Sequence, residues 1–197
     1  MYKDSISNEE LIEMPLRSFD GKIVLVDSVN RARQAATELK RHKVIGFDTE
    51  TKPSFKKGVA NKVALLQLST SDTAYLFRIN HIGLPDEIVD LLANKNIIKP
   101  GVAIRDDIKG LQELVNFKPN GFIELQDEAK EMGIQNFSLK KLTAIACGFR
   151  ISKGQQLSNW EAPELTEAQQ LYAATDAWAA LVIFEHFSTN GYDHREG

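Results

Sequence analysis

The 197-residue chain is 43% hydrophobic and 26% charged, with a formal net charge of −3. This balance suits one well-buried globular domain and excludes wholesale disorder; the small charge excludes a polycation that would hold nucleic acid by bulk charge alone. Cys147 is the only cysteine, no apolar run reaches membrane-spanning length, and residues 1–5 lack a basic-then-apolar leader pattern, so a cytoplasmic protein with no disulfide and no membrane partner is expected.

Residues 1–21 are polar and mixed, and read as a loosely held N-terminal extension with one or two helical turns near Glu9–Met14. Lys22–Asp27 reads as an edge strand. Ser28 can cap a helix whose apolar positions, Ala32, Ala35, Ala36 and Leu39, recur at helical spacing. An apolar run, Val44 to Phe47, then leads into Asp48-Thr49-Glu50, and a basic loop carrying Lys56 and Lys57 follows. Val63–Ser69 and Thr73–Phe77, joined by Thr70-Ser71-Asp72, give a hairpin signal, so these strands form an antiparallel meander. A helix is expected at Asp86–Ala93.

Strands and helices then alternate. A strand is expected over Ile97–Ile104, irregular because Pro100 lacks a donor. A helix is expected over Asp107–Val115, a short strand over Phe122–Leu125 and a helix near Asp127–Met132. Ser138 caps a helix over Leu139–Cys147. Residues 148–165 read as irregular. The capping box at Thr166-Glu167-Ala168-Gln169 opens a last helix that runs to about Phe187 and stops at Asn190-Gly191. The pattern predicts one α/β domain over residues 22–190, built on a mixed sheet flanked by helices: a meander first, parallel βα units after it. Residues 191–197 form a tail.

Asp48 and Glu50 lie two apart on a strand, so their side chains share one face. Paired carboxylates raise each other's pKa unless a positive charge intervenes, and hard oxygen ligands suit Mg²⁺ or Mn²⁺. Tyr172 and Asp176 are four apart on the last helix, within an otherwise apolar stripe of Ala168, Ala179, Ala180 and Ile183. A mid-helix aspartate on such a face is unfavourable unless it is paired or binds a metal. Helical phase aligns Asp107 with Leu111 and Leu114, facing inward, and turns Asp106 outward. Each acid alone has a bland reading as a polar turn, a cap or a buried ion pair. Together, without a histidine at nucleophile–base spacing, they suit two-metal phosphoryl chemistry.

The stretches Phe47-Asp48-Thr49-Glu50, Gly101 to Asp107, and Tyr172-Ala173-Ala174-Thr175-Asp176 resemble, in order, the three motifs of the DEDD superfamily of 3′–5′ exonucleases, in its tyrosine branch. Ser138-Leu139-Lys140-Lys141-Leu142 and Ser158-Asn159-Trp160 add similarity to the ribonuclease D and Werner-syndrome exonuclease-domain type. The resemblance implies a ribonuclease-H-like fold and hydrolysis of the 3′-terminal phosphodiester of DNA or RNA, with a single-stranded 3′ end as the partner and two Mg²⁺ or Mn²⁺ ions per site. It makes Asp48 the bridging ligand and has Glu50 and Asp176 complete the site of the attacking water. Asp107 would support the second metal and Tyr172 would orient the nucleophile. Lys56, Lys57, Lys140, Lys141 and Lys153 are candidates for backbone phosphate contacts, and Leu66, Leu68 and Phe77 for packing a terminal base, beside their reading as core. Lys109 stands where some Werner-type relatives carry an aromatic residue. The alternative is a catalytically idle, nucleic-acid-binding relative of the same fold.

Overall fold

The computed structural model describes residues 2–53 and 61–189. In chain order its elements are α1 (Asn8–Glu13), β1 (Lys22–Val26), α2 (Val29–Leu39), β2 (Gly46–Thr51), β3 (Val63–Ser69), β4 (Thr73–Phe77), α3 (Ile79–Ile82), α4 (Asp86–Leu92), β5 (Lys99–Gly101), α5 (Ile104–Gln112), β6 (Phe122–Glu124), α6 (Leu125–Glu131), α7 (Leu139–Cys147) and α8 (Glu167–Thr189).

Four strands pair in the order β1-β4-β3-β2, with β2, β3 and β4 forming the expected antiparallel meander and β1 added parallel to β4 at the edge. A second, parallel pair, β5-β6, is joined to this sheet by one parallel bridge between Val44 and Ile98. Two hydrogen bonds make the junction, from the Ile45 N–H to the Ile98 carbonyl (2.9 Å) and from the Ile98 N–H to the Lys43 carbonyl (2.8 Å). The result is the mixed sheet flanked by helices that the sequence pattern predicts.

Every residue of β3 is buried, because helices cover both faces of the sheet. On one face, Ala32, Ala36 and Leu39 of α2 and Ile88, Leu91 and Leu92 of α4 pack with Phe47, Leu66, Leu68 and Phe77. On the other, Ala173 and Ala174 of α8 meet Leu65, Ala74, Leu76 and Trp160. The α8 side chains at this contact are small, and β2 presents Gly46 to the same helix. A Cβ built on Gly46 would stand 1.9 Å from the carbonyl oxygen of Ala177. Only glycine lets the long helix lie this close to the strand that carries Asp48 and Glu50.

Among the boundaries that differ from expectation, two bear on the site. The strand expected over Ile97–Ile104 is confined to Lys99–Gly101, and α5 starts at Ile104 rather than Asp107. Ala103 turns the chain with φ of 60°, and the Glu124 carboxylate accepts hydrogen bonds from the backbone N–H of Ala103 and of Ile104, both at 2.8 Å. Those bonds satisfy the helix start that the sequence assigned to Asp106 or Asp107. The N-terminal segment also packs more firmly than expected. Ile6 and Leu11 are buried, the Gln135 N–H donates to the Asp4 carbonyl (2.6 Å), and the Phe19 N–H donates to Thr175 Oγ1 (3.0 Å). The stop expected at Asn190-Gly191 lies outside the described residues. No helix among the described residues is long and apolar enough to cross a membrane.

Candidate active site

The register places Asp48 opposite Gln67 and Glu50 opposite Leu65. Both acids therefore project from the sheet face that α8 covers. The close approach at Gly46 brings Asp176 of α8 against them. One carboxylate oxygen from each of Asp48, Glu50 and Asp176 lies within 4.8 Å of the others. They line a cleft of about 300 Å³ with Phe47, Ser138, Lys140, Lys153 and Tyr172.

Asp107 stands beside this trio rather than in it. It faces inward as helical phase predicts, and its Oδ1 accepts a hydrogen bond from the Thr49 hydroxyl. Asp106 turns to solvent and pairs with Lys109 at 3.4 Å. The Asp107 charge still reaches Asp48 and Glu50, because it helps to hold both of their carboxyl groups above the usual range. Thr49 is thus shared between two acids. Its backbone N–H donates to Asp48 Oδ1 at 2.9 Å while its hydroxyl holds Asp107.

The electrostatics are those of an anionic pocket. Among the described residues no ion pair involves Asp48, Glu50, Asp107 or Asp176. Burial, and then the Asp176 and Glu50 charges, push Asp48 upward. Burial first, then Asp176 and Asp107, raises Glu50 to about 9. Asp176 rises to about 7 through burial, offset in part by the Tyr172 hydroxyl and the Lys153 charge. Asp107 rises to about 6 through burial, with the Thr49 hydrogen bond opposing. Tyr172 moves further from ionisation, through burial and the neighbouring Asp176 and Glu50 charges. Its ring packs against Trp160 with centroids 6.0 Å apart. Hard oxygen donors, converging and uncompensated, are the donor set of a divalent cation site.

The remaining sequence candidates divide. Lys140 and Lys153 line the cleft. Lys141 does not, since its Nζ donates to the Ile6 carbonyl at 2.9 Å and fastens the N-terminal segment. Leu68 is corrected. It lies opposite Phe47 in the register, so it points to the face away from the carboxylates, where it is fully buried with Leu66 and Phe77. Lys56 and Lys57 lie outside the described residues. The sequence reading missed Thr49, although a hydroxyl between two acids is itself a signal. It also missed Glu124, for which local sequence offers none.

Comparison with known proteins points the same way as the geometry. A family model described as a 3′–5′ exonuclease matches residues 23–191. The Mus musculus protein described as a bifunctional 3′–5′ exonuclease/ATP-dependent helicase, WRN, is 35% identical over 188 residues, covering 90% of this chain. The chain spans 13% of that protein's length. The crystal structure of the Aedes aegypti Nibbler EXO domain matches with a TM-score of 0.78 at 25% identity, covering 88% of this chain and 91% of that one. Escherichia coli RNase D, an exoribonuclease involved in structured RNA processing, shares the fold with a TM-score of 0.78 at 20% identity, over 85% of this chain and 44% of that one.

Proposed function

The chain belongs to the 3′–5′ exonuclease family, and from that membership we propose that it hydrolyses the 3′-terminal phosphodiester of a DNA or RNA strand, releasing nucleoside 5′-monophosphates. The observation that carries the proposal is the convergence of Asp48, Glu50 and Asp176 within 4.8 Å in a cleft where, among the described residues, no ion pair neutralises them. Those three, with Asp107 beside them, would hold the divalent ions, Mg²⁺ or Mn²⁺. Bound there, the ions would lower the pKa of water and offset charge on the leaving 3′-oxygen.

The chain's own groups do the rest. The Tyr172 hydroxyl donates a hydrogen bond to the Asp176 carboxylate, which sets the phenol beside the metal-binding acids, where it would orient the attacking water. The Trp160 ring packs against that phenol at a tilt of 36°. Lys140 and Lys153, on the cleft wall, offer positive charge to the phosphates of an entering strand without reading its sequence. A reducing, cytoplasmic setting fits the lone Cys147, a half-buried thiol pushed up to about 12 by burial.

The test is digestion of a 5′-labelled oligonucleotide, as DNA and as RNA, with Mg²⁺ or Mn²⁺. A ladder of shortening products is expected, abolished in Asp48→Ala and in Asp176→Ala. Undiminished digestion by Asp48→Ala would end the proposal. Tight strand binding with no turnover under any divalent metal would leave only the fold.

A further inference from the structure

Gln67 occupies the centre of β3, fully buried. Neither its Oε1 nor its Nε2 has a hydrogen-bond partner. A buried amide left unsatisfied at both atoms is unfavourable, and an aliphatic side chain of similar volume avoids that penalty. Nothing in the packing calls for polarity at this position. The residues that share its sheet face, Leu65 and Leu76, are apolar and pack under α8. The register, however, places Gln67 directly opposite Asp48. Directly opposed side chains on one face of an antiparallel pair start about 5 Å apart at Cβ, within the span of a glutamine.

We propose that Gln67 is a positioning residue for Asp48, its amide N–H donating to the Asp48 carboxylate when divalent cations are bound. The proposal rests on the reading of the cleft as a metal-dependent nuclease site. Asp48 Oδ1 takes the Thr49 N–H, and the Gln67 amide stands unpaired on the neighbouring strand. A carboxylate that ligates a cation is an acceptor only, so Nε2 is the glutamine atom that can serve Asp48. Such a bond fixes the orientation of a metal ligand from behind, as outer partners of metal sites commonly do.

The experiment compares wild type with Gln67→Met and Gln67→Leu as full-length chains, measuring thermal midpoint without metal, Mn²⁺ affinity by calorimetry, and kcat and KM. In the variants the metal-free midpoint stays level or rises, Mn²⁺ binding weakens by about 10- to 100-fold, and kcat falls while KM holds. Mn²⁺ affinity within twofold of wild type in both variants overturns the role of Gln67 while the nuclease reading stands. Failure of both variants to fold also overturns it, because a residue kept for the site is dispensable to the core. No Mn²⁺ uptake by the wild-type chain would bring down the metal site itself, and the role of Gln67 with it.

Discussion

Tyr172 is presented by the same helix face as Asp176, and the two influence each other in opposite directions. The carboxylate drives the phenol further from ionisation, while the phenol pulls the carboxylate back toward its ordinary value. Removing the hydroxyl takes away the donor and leaves the ring on Trp160, so Tyr172→Phe should fold normally. Its kcat should fall by about 100-fold, the scale of losing one orienting contact, with KM little changed. Steady-state kinetics on a short labelled strand would check this, and an unaltered kcat would remove Tyr172 from the mechanism. Asp48, Glu50, Asp107, Asp176 and Tyr172 stand out in the sequence as a set, because acids there break local rules, a charge after an apolar strand or an aspartate in an apolar stripe, and because the stretches that carry them resemble the exonuclease motifs in order. Gln67 breaks the same kind of rule within Val63–Ser69 and passed unnoticed, since one amide among aliphatic residues carries no charge to mark it. Leu68 failed for a simpler reason. Strand alternation puts it on the face opposite Asp48, and that parity follows only once the cross-strand register is known.

Helix α5 shows where local sequence stops being informative. Its start depends on Glu124, twenty residues further on, whose carboxylate receives the Ala103 and Ile104 N–H groups and also the Gln126 N–H at 3.2 Å. One side chain thereby anchors the first turns of both α5 and α6. Glu124→Ala should destabilise the fold by about 1–2 kcal/mol, the usual penalty for losing a helix cap, and loosen Asp107 as well. Urea denaturation would show the loss, and a midpoint equal to wild type would refute the shared cap. The contact between α8 and β2 is less forgiving. A methyl group at position 46 would collide with the Ala177 carbonyl of the helix, and backbone atoms cannot move aside as a side chain can. Gly46→Ala should therefore lose about 3 kcal/mol and separate Asp176 from Asp48, with Mn²⁺ binding lost even where the chain still folds. Circular dichroism melting together with a Mn²⁺ titration reads both effects. The helices over Leu139–Cys147 and from Glu167 onward were legible because their caps are local: Ser138 bonds the Lys141 N–H, and Thr166 and Gln169 cap each other.

The fold as a whole holds a cluster of buried and half-buried acids whose protons and cations compete. Glu50 is raised to about 9, Asp176 to about 7 and Asp107 to about 6, with Asp48 raised as well. An unfolded chain would release these protons near pH 4, as ordinary carboxylates at about 4 do. Between those limits the folded state binds more protons than the unfolded one, so metal-free stability is greatest below about pH 4 for this set and declines as pH rises through 6 to 9. Lys99 works in the opposite sense at a higher range. Its buried ammonium is lowered to about 8, so its release favours the fold only as pH climbs above that value. The interval from about pH 5 to about pH 8 thus isolates the acids. Across it the melting temperature of the metal-free protein should fall by at least about 5 °C. A divalent cation reverses the sign, because it takes the ionised carboxylates and is excluded by the protonated ones. Saturating Mn²⁺ should raise the midpoint strongly at about pH 8 and hardly at about pH 5, and its binding should release protons into the buffer. Melting curves at both pH values, with and without Mn²⁺, decide the matter. An equal metal-induced rise at both would mean that the ion binds outside the cluster of Asp48, Glu50 and Asp176.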